Sequence, residues 1–150
     1  MKPSPHMDRA FAEAEQAQAR GEVPIGAVLV DATTGAVVAA DGNRVIEQHD
    51  PTAHAEMLAL RAAAARFGSE RLSHLDLYVT LEPCAMCAAA LALARVRRIV
   101  YAAPDPKGGG IDHGARIFEQ ATTHHRPEIV AGVGEARAAE LLRRFFQVRR

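Results

Sequence analysis

Two short stretches hold the residue types that could do chemistry. His54-Ala55-Glu56 supplies an imidazole and, two residues on, a carboxylate. Pro83-Cys84-Ala85-Met86-Cys87 supplies the only two thiols of the chain, behind a proline. Zinc favours sulfur and imidazole nitrogen in a tetrahedron, and a catalytic zinc keeps one corner open where a structural one fills all four. His54, Cys84 and Cys87 make three ligands, so the ligand count points to zinc as cofactor and to hydrolysis as the reaction type. Glu56 lies close enough to a ligand to move a proton without binding the metal. A Cys-x-x-Cys pair by itself also fits a redox motif, and a lone histidine fits an ordinary surface position. Both half-motifs in one chain, each at a predicted helix start, favour the metal.

The elements that must position them follow from periodicity and caps. Thr52 can cap a helix from about Ala53 to Phe67, closed by Gly68. Cys84 opens a second helix, to about Arg95, where an i, i+3 spacing turns both thiols to one side. A helix N-terminus lowers a thiol pKa, and free N–H groups near Ala55 and Cys84 suit an anionic intermediate. Elsewhere, Met1 to Met7 with its prolines is expected as a flexible tail, and Asp8 as the cap of a helix to about Arg20. Strands are predicted at 23–30 and 36–40, forming a hairpin, then at 75–80, 97–102 and 128–131. Glu135 to Val148 is the last helix, with Ala138, Leu141, Leu142 and Phe145 on its apolar face. Alternating strands and helices predict an α/β fold, with both helix starts converging at one end of the sheet.

The loops admit paired readings. Gly26 marks either a close approach of ligand to backbone or a bulge. Asn43 can bond a base edge with donor and acceptor together, or serve turn chemistry beside Gly42, which composition alone favours. Arg44 and His49 carry the same ambiguity. Pro104 to Gly110 is expected as a mobile loop, over the site or simply on the surface; the order of a P-loop is absent. Ile111 to Gln120 is expected to hold a short helix. His124-His125-Arg126 has no partner at ligand spacing, so surface or RNA contact is favoured there over a second metal.

With 150 residues, formal net charge zero and 49% hydrophobic residues, the chain has the length and balance of one globular domain. No overall basic excess announces nucleic acid. Lys2 and Lys107 are the only lysines, so the cations are almost all arginine, which suits phosphate and base stacking but equally a compositional bias. Two cysteines assigned to metal imply no disulfide framework and a reducing compartment. No apolar run reaches membrane-spanning length, and the opening residues lack a signal-peptide core; a cytoplasmic protein is expected.

Longer strings add a family resemblance. Val23-Pro24-Ile25-Gly26-Ala27-Val28, Asn43-Arg44, His49-Asp50-Pro51-Thr52-Ala53-His54-Ala55-Glu56, Tyr78-Val79-Thr80-Leu81-Glu82-Pro83-Cys84-Ala85-Met86-Cys87 and the closing Phe145-Phe146-Gln147-Val148-Arg149-Arg150 resemble the bacterial tRNA-specific adenosine deaminases. The zinc motif is common to all cytidine deaminase-like enzymes; the longer strings and the tail point to tRNA. The resemblance implies a three-layer α/β/α fold with a mixed five-stranded sheet, a single deaminase domain over 1–150, a homodimer and one zinc per subunit. It implies conversion of the wobble adenosine of a tRNA anticodon stem-loop to inosine, hydrolysing a cyclic amidine C–N bond. By this resemblance the ligands are His54, Cys84 and Cys87, the proton shuttle is Glu56, and substrate contacts fall on Asn43, Ala55, Asp105, Phe146, Arg149 and Arg150. Pro104, Pro106 and Gly108-Gly109-Gly110 depart from the family's best-known loop. Two alternatives stay open. One is a deaminase of free guanine, cytosine or adenine, or their nucleosides. The other is a zinc-stabilised RNA-binding module without catalysis, against which Glu56 and the open fourth corner argue.

Overall fold

In the computed structural model, which describes residues 4–148, apolar side chains alternate along the central strands and are buried on both faces. Ala27, Leu29, Leu75, Leu77, Val79, Ile99 and Tyr101 fill one core together with Ala59, Leu60 and Leu91. Their neighbours Val28, Val30, Val100 and Ala102 fill a second core with Met7, Phe11 and Ala138. A strand repeats every two residues, so covering both faces requires the near-continuous apolar runs seen in the sequence. Burying one large apolar side chain such as Leu77 or Phe11 stabilises by about 1.5–3 kcal/mol.

The elements are α1 (Pro5–Ala19), β1 (Gly26–Asp31), β2 (Val37–Gly42), α2 (Ala55–Phe67), β3 (Leu75–Leu81), α3 (Ala85–Leu93), β4 (Arg98–Ala103), a 3-10 turn (Ile117–Glu119), β5 (Glu128–Ala131) and α4 (Glu135–Val148). The sheet order is β2-β1-β3-β4-β5. β1 runs antiparallel to β2 and β3, while β3, β4 and β5 are parallel. Helices α2 and α3 cover one face, α1 and α4 the other. This is the expected three-layer α/β/α arrangement on a mixed five-stranded sheet.

Three expectations are corrected. Helix α1 starts at Pro5, not after an Asp8 cap: Ser4 is the N-cap, its hydroxyl accepting the Met7 N–H at 3.3 Å. Proline fits the first helical turn, where its missing N–H has no partner to lose, and Met7 is 2% exposed in the core, so the expected tail to Met7 is helix from Pro5 onward. Gly26 marks the approach of a helix instead of a ligand. A Cβ there would lie 1.9 Å from the Ala10 carbonyl oxygen of α1, and the irregularity in β1–β2 pairing falls at Leu29/Val30. Finally, α2 begins at Ala55. The Thr52 hydroxyl, expected as its cap, is spent on Asp50 Oδ1 at 2.7 Å.

Helix α4 is fastened to α1 by Arg137. Its guanidinium lies 4.3 Å over the Phe11 ring and reaches Asp8 and Glu15. Within the described residues, the last helix covers Glu135–Val148, as expected from the sequence.

Candidate active site

Strand β3 ends at Leu81 and the chain turns through Glu82-Pro83 into Cys84, the N-cap of α3. His54 is the N-cap of α2. Both N-cap backbones are extended and neither side chain caps its helix. The side-chain atoms that would normally satisfy the first free amides are thus turned to another use. Cys87, in the first turn of α3, completes a triangle. His54 Nδ1 lies 3.6 Å from Cys84 Sγ and 3.5 Å from Cys87 Sγ, and all three atoms lie within 4.8 Å of one another. Zinc–sulfur and zinc–nitrogen bonds of about 2.3 and 2.0–2.1 Å at a tetrahedral angle separate sulfur from nitrogen by about 3.5 Å. The donor set and spacing therefore fit zinc. Among the described residues no other group of three His, Cys, Asp or Glu side chains is placed to hold a metal. His125 of the histidine pair instead bonds the Val96 carbonyl at 2.7 Å.

The electrostatics of the triangle are divided. The Cys87 thiol beside it holds Cys84 down to about 4, with further help from His54, against the opposing effect of burial. Cys87 itself is pushed far up by the neighbouring Cys84 and by burial. His54 is raised, first by its bond to Cys84. Glu56 is 4% exposed, and burial pushes its carboxyl up to about 7. It sits where a proton can be gained or lost near neutrality, as a general acid–base group requires.

Asn43 is placed in this cluster by a route the sequence did not reveal. Its Oδ1 accepts the Ala55 N–H at 2.8 Å, supplying the cap that His54 does not. Ala55 N–H, expected as a donor to an intermediate, is thereby already engaged. The loop carrying Asn43 is held by Glu22, 2% exposed, whose carboxylate accepts the N–H groups of Ile46 and Glu47 at 3.1 and 2.9 Å. Arg44 pairs with Asp41 and Glu47, which matches the turn reading. His49 is exposed with φ 50°.

The segment after β4, expected as mobile, is tied down. Asp105 Oδ1 accepts the Lys107 and Gly108 N–H groups at 3.2 and 2.9 Å in a local turn. Buried Glu82, which no motif singled out, accepts the backbone N–H groups of Asp105, Ile111, Asp112 and His113. Burial alone would raise its pKa, but those amides and the His113 ring hold it below the usual carboxylate range. The only sequence signal was an acidic residue at an otherwise apolar strand end. Ile111 to Gln120 holds only the short 3-10 turn. Phe146 is 52% exposed and packs edge-on against Phe145; Arg149 and Arg150 lie outside the described residues.

A sulfur–imidazole triangle with a buried carboxylate, at the helix starts of a three-layer α/β/α fold, has the parts of a zinc-dependent hydrolase. The model of the cytidine and deoxycytidylate deaminase zinc-binding region matches residues 2–103. The chain belongs to that family and, within it, to the tRNA-specific adenosine deaminases. It is 53% identical to the tRNA-specific adenosine deaminase of Agrobacterium fabrum over 96% of this chain and 93% of that one. The enzyme of the same name from Bacillus subtilis is 42% identical over 95% and 87%. A solved structure from a study of A-to-I editing by tRNA:A34 deaminases at the wobble position superposes with TM-score 0.88 at 52% identity, over 91% of this chain and 98% of that one. A Bacillus subtilis guanine deaminase is similar over a shorter span, with TM-score 0.65 at 38% identity over 69% and 66%.

Proposed function

We propose that this chain, as one deaminase domain, converts the wobble adenosine of a tRNA anticodon stem-loop to inosine, with His54, Cys84 and Cys87 holding one zinc per subunit and Glu56 carrying protons. The observation that supports deamination is the buried Glu56 beside a donor triangle of zinc dimensions. The likeness over nearly the whole chain to relatives named for tRNA supports the substrate.

Bound at the triangle, zinc supplies the Lewis acidity that brings the ionisation of water to about pH 7. Glu56 takes the proton of the attacking water and delivers it to the purine ring nitrogen as oxygen adds at C6. It then takes the proton of the new C6 hydroxyl and passes it to the amino group, so that the C–N bond breaks, ammonia leaves and C6 becomes a carbonyl. Its dry surroundings keep both protonation states accessible. Asn43 Oδ1 is held by helix α2, while its Nδ2 has no partner among the described residues and is the group offered to the base. Asp105, Phe146, Arg149 and Arg150 are the further proposed RNA contacts. The target base must leave its stack, which an anticodon loop permits.

A homodimer is proposed as well. Leu93 on α3 is 77% exposed, between grooves lined on one side by Leu60, Leu72 and Ala94 and on the other by Ala89 and Ile117. Among the described residues no helix is long and apolar enough to cross a membrane; with a tRNA substrate, the cytoplasm is the proposed location.

The test compares ammonia release from a stem-loop bearing a wobble adenosine with release from free adenine, guanine, cytosine and their nucleosides. Inosine formed only in the stem-loop supports the proposal. Likeness to a guanine deaminase favours a second reading, and activity confined to a free base would establish it in place of the first.

A further inference from the structure

The carboxylate of Glu82 is fully buried, with its side chain 0% exposed, and no lysine or arginine among the described residues pairs with it. Five N–H groups converge on it instead. Oε1 accepts from Asp105 N at 3.0 Å and from the His113 ring Nδ1 at 2.7 Å. Oε2 accepts from Ile111, Asp112 and His113 N at 3.1, 3.0 and 3.2 Å. The Glu82–His113 contact fixes the ring tautomer, since a carboxylate only accepts and Nδ1 must carry the proton.

Glu82 lies two residues before Cys84, one residue past the end of β3. The segment it grips runs over the start of α3. Gly110 N–H donates to the Pro83 carbonyl at 2.8 Å. A Cβ at Gly110 would lie 2.4 Å from Ala85 N, and one at Gly109 would lie 2.5 Å from the Glu82 carboxylate. Only a bare backbone comes this close, which accounts for two of the three consecutive glycines. One carboxylate thus joins the strand leading to Cys84 to the loop that packs on the first turn of α3.

We infer that Glu82 is a positioning residue: its buried carboxylate fixes residues 105–113 against the first turn of α3, and through Asp105 sets how the polynucleotide flanking the target base is held. The inference rests on the RNA reading above for its substrate and on geometry for its mechanism. Glu82 is not among the donor atoms of the triangle. Its loss loosens substrate capture and leaves the chemical step in place.

The test uses zinc-loaded Glu82→Gln, in which one acceptor oxygen becomes an NH2 facing N–H donors. Expected are wild-type zinc content, at least about tenfold faster amide exchange at 111–113, KM for the stem-loop raised about tenfold and kcat changed less than about threefold. Unchanged exchange overturns the inference, as does a kcat loss with KM intact or a loss of zinc. His113→Ala is a second variant, at a half-exposed side chain, should Glu82→Gln fail to fold. It removes one of the five donors and is expected to raise KM about two- to fourfold, with His113→Asn, which keeps an N–H, restoring it. If His113→Ala leaves both KM and exchange at wild-type values, Glu82 does not act as inferred. Should the wild-type chain not deaminate the stem-loop, the RNA reading fails on its own, while the exchange measurements still decide whether Glu82 holds the loop.

Discussion

Asn43 Oδ1 accepts the Ala55 N–H at 2.8 Å, so the N-terminus of α2 is capped by a side chain twelve residues upstream while the N-cap residue itself, His54, faces Cys84 and Cys87. The proposed metal ligand and the helix cap are two jobs that one residue cannot do, and they are divided between two. Asn43→Ala leaves a buried amide without an acceptor and is expected to cost about 1–2 kcal/mol, or roughly 2–8 °C in Tm for a domain of this size. Asn43→Asp keeps the acceptor oxygen and should stay near wild-type in Tm, while losing the Nδ2 donor proposed for the base. Thermal unfolding and turnover measured on both variants separate the two roles. If Asn43→Asp melts as low as Asn43→Ala, the capping account is wrong.

The two thiols of the metal-free chain should react differently. Cys84 is held down to about 4, so it is thiolate through the neutral range, whereas Cys87 is pushed far up and remains a thiol. Cys84 is also the more exposed of the pair. Iodoacetamide at pH 6–7 after zinc removal is expected to label Cys84 first, because the thiolate is the nucleophile. Zinc added beforehand should protect both. Peptide mapping reads the outcome, and preferential labelling of Cys87 would reverse the assignment.

Much of this arrangement was legible in advance because it is local. Strands buried on both faces must be apolar runs, so the sheet follows from the chain itself, and the expected meeting of His54, Cys84 and Cys87 is seen as three donor atoms within 4.8 Å of one another. Two misreadings, at Gly26 and in the loop after β4, come from contacts across long sequence distances, whereas those at Thr52 and Ser4 come from local competition for hydrogen bonds. Gly26 looked like a ligand approach or a bulge because nothing near it in sequence says that the Ala10 carbonyl of α1 lies on top of it. The segment 104–110 looks mobile from its glycines. Its order comes from Glu82, which accepts N–H groups 23 to 31 residues later. Thr52 looked like a cap, and its hydroxyl found Asp50 instead. Ser4, two residues into a proline-rich opening, was passed over because prolines suggest fraying, although one at the first helical position promotes a helix.

Alkaline stability should depend on Tyr101. It is 2% exposed and donates to Asp112 Oδ2. Burial first, and then this bond to a carboxylate, raise its pKa above the ordinary value of about 10. The folded state therefore holds the phenolic proton more tightly than the unfolded chain. The associated stability is fully present below about pH 10 and is lost as pH rises from there towards the folded value, at up to about 1.4 kcal/mol per pH unit. Tyr101→Phe should lower stability at pH 7 by about 1–3 kcal/mol, since Asp112 loses its partner, yet show a flatter decline between pH 9.5 and 11. Denaturant midpoints across that range test it, and parallel declines in the two proteins would exclude Tyr101 as the titrating group.

Glu56 separates metal binding from catalysis. It is not among the atoms of the donor triangle, and its burial is what lifts its pKa to about 7. Glu56→Gln keeps the shape and removes both the charge and the exchangeable carboxyl proton. Replacing a buried group whose charged form is disfavoured by desolvation costs the fold little, so zinc content and Tm should stay at or slightly above wild-type. Turnover should fall by at least about 10²–10⁴, the usual worth of a positioned acid–base group. Measuring zinc by atomic absorption alongside inosine formation makes the result specific. Loss of zinc would mean that Glu56 belongs to the metal site, and retained turnover would mean that another residue carries the proton.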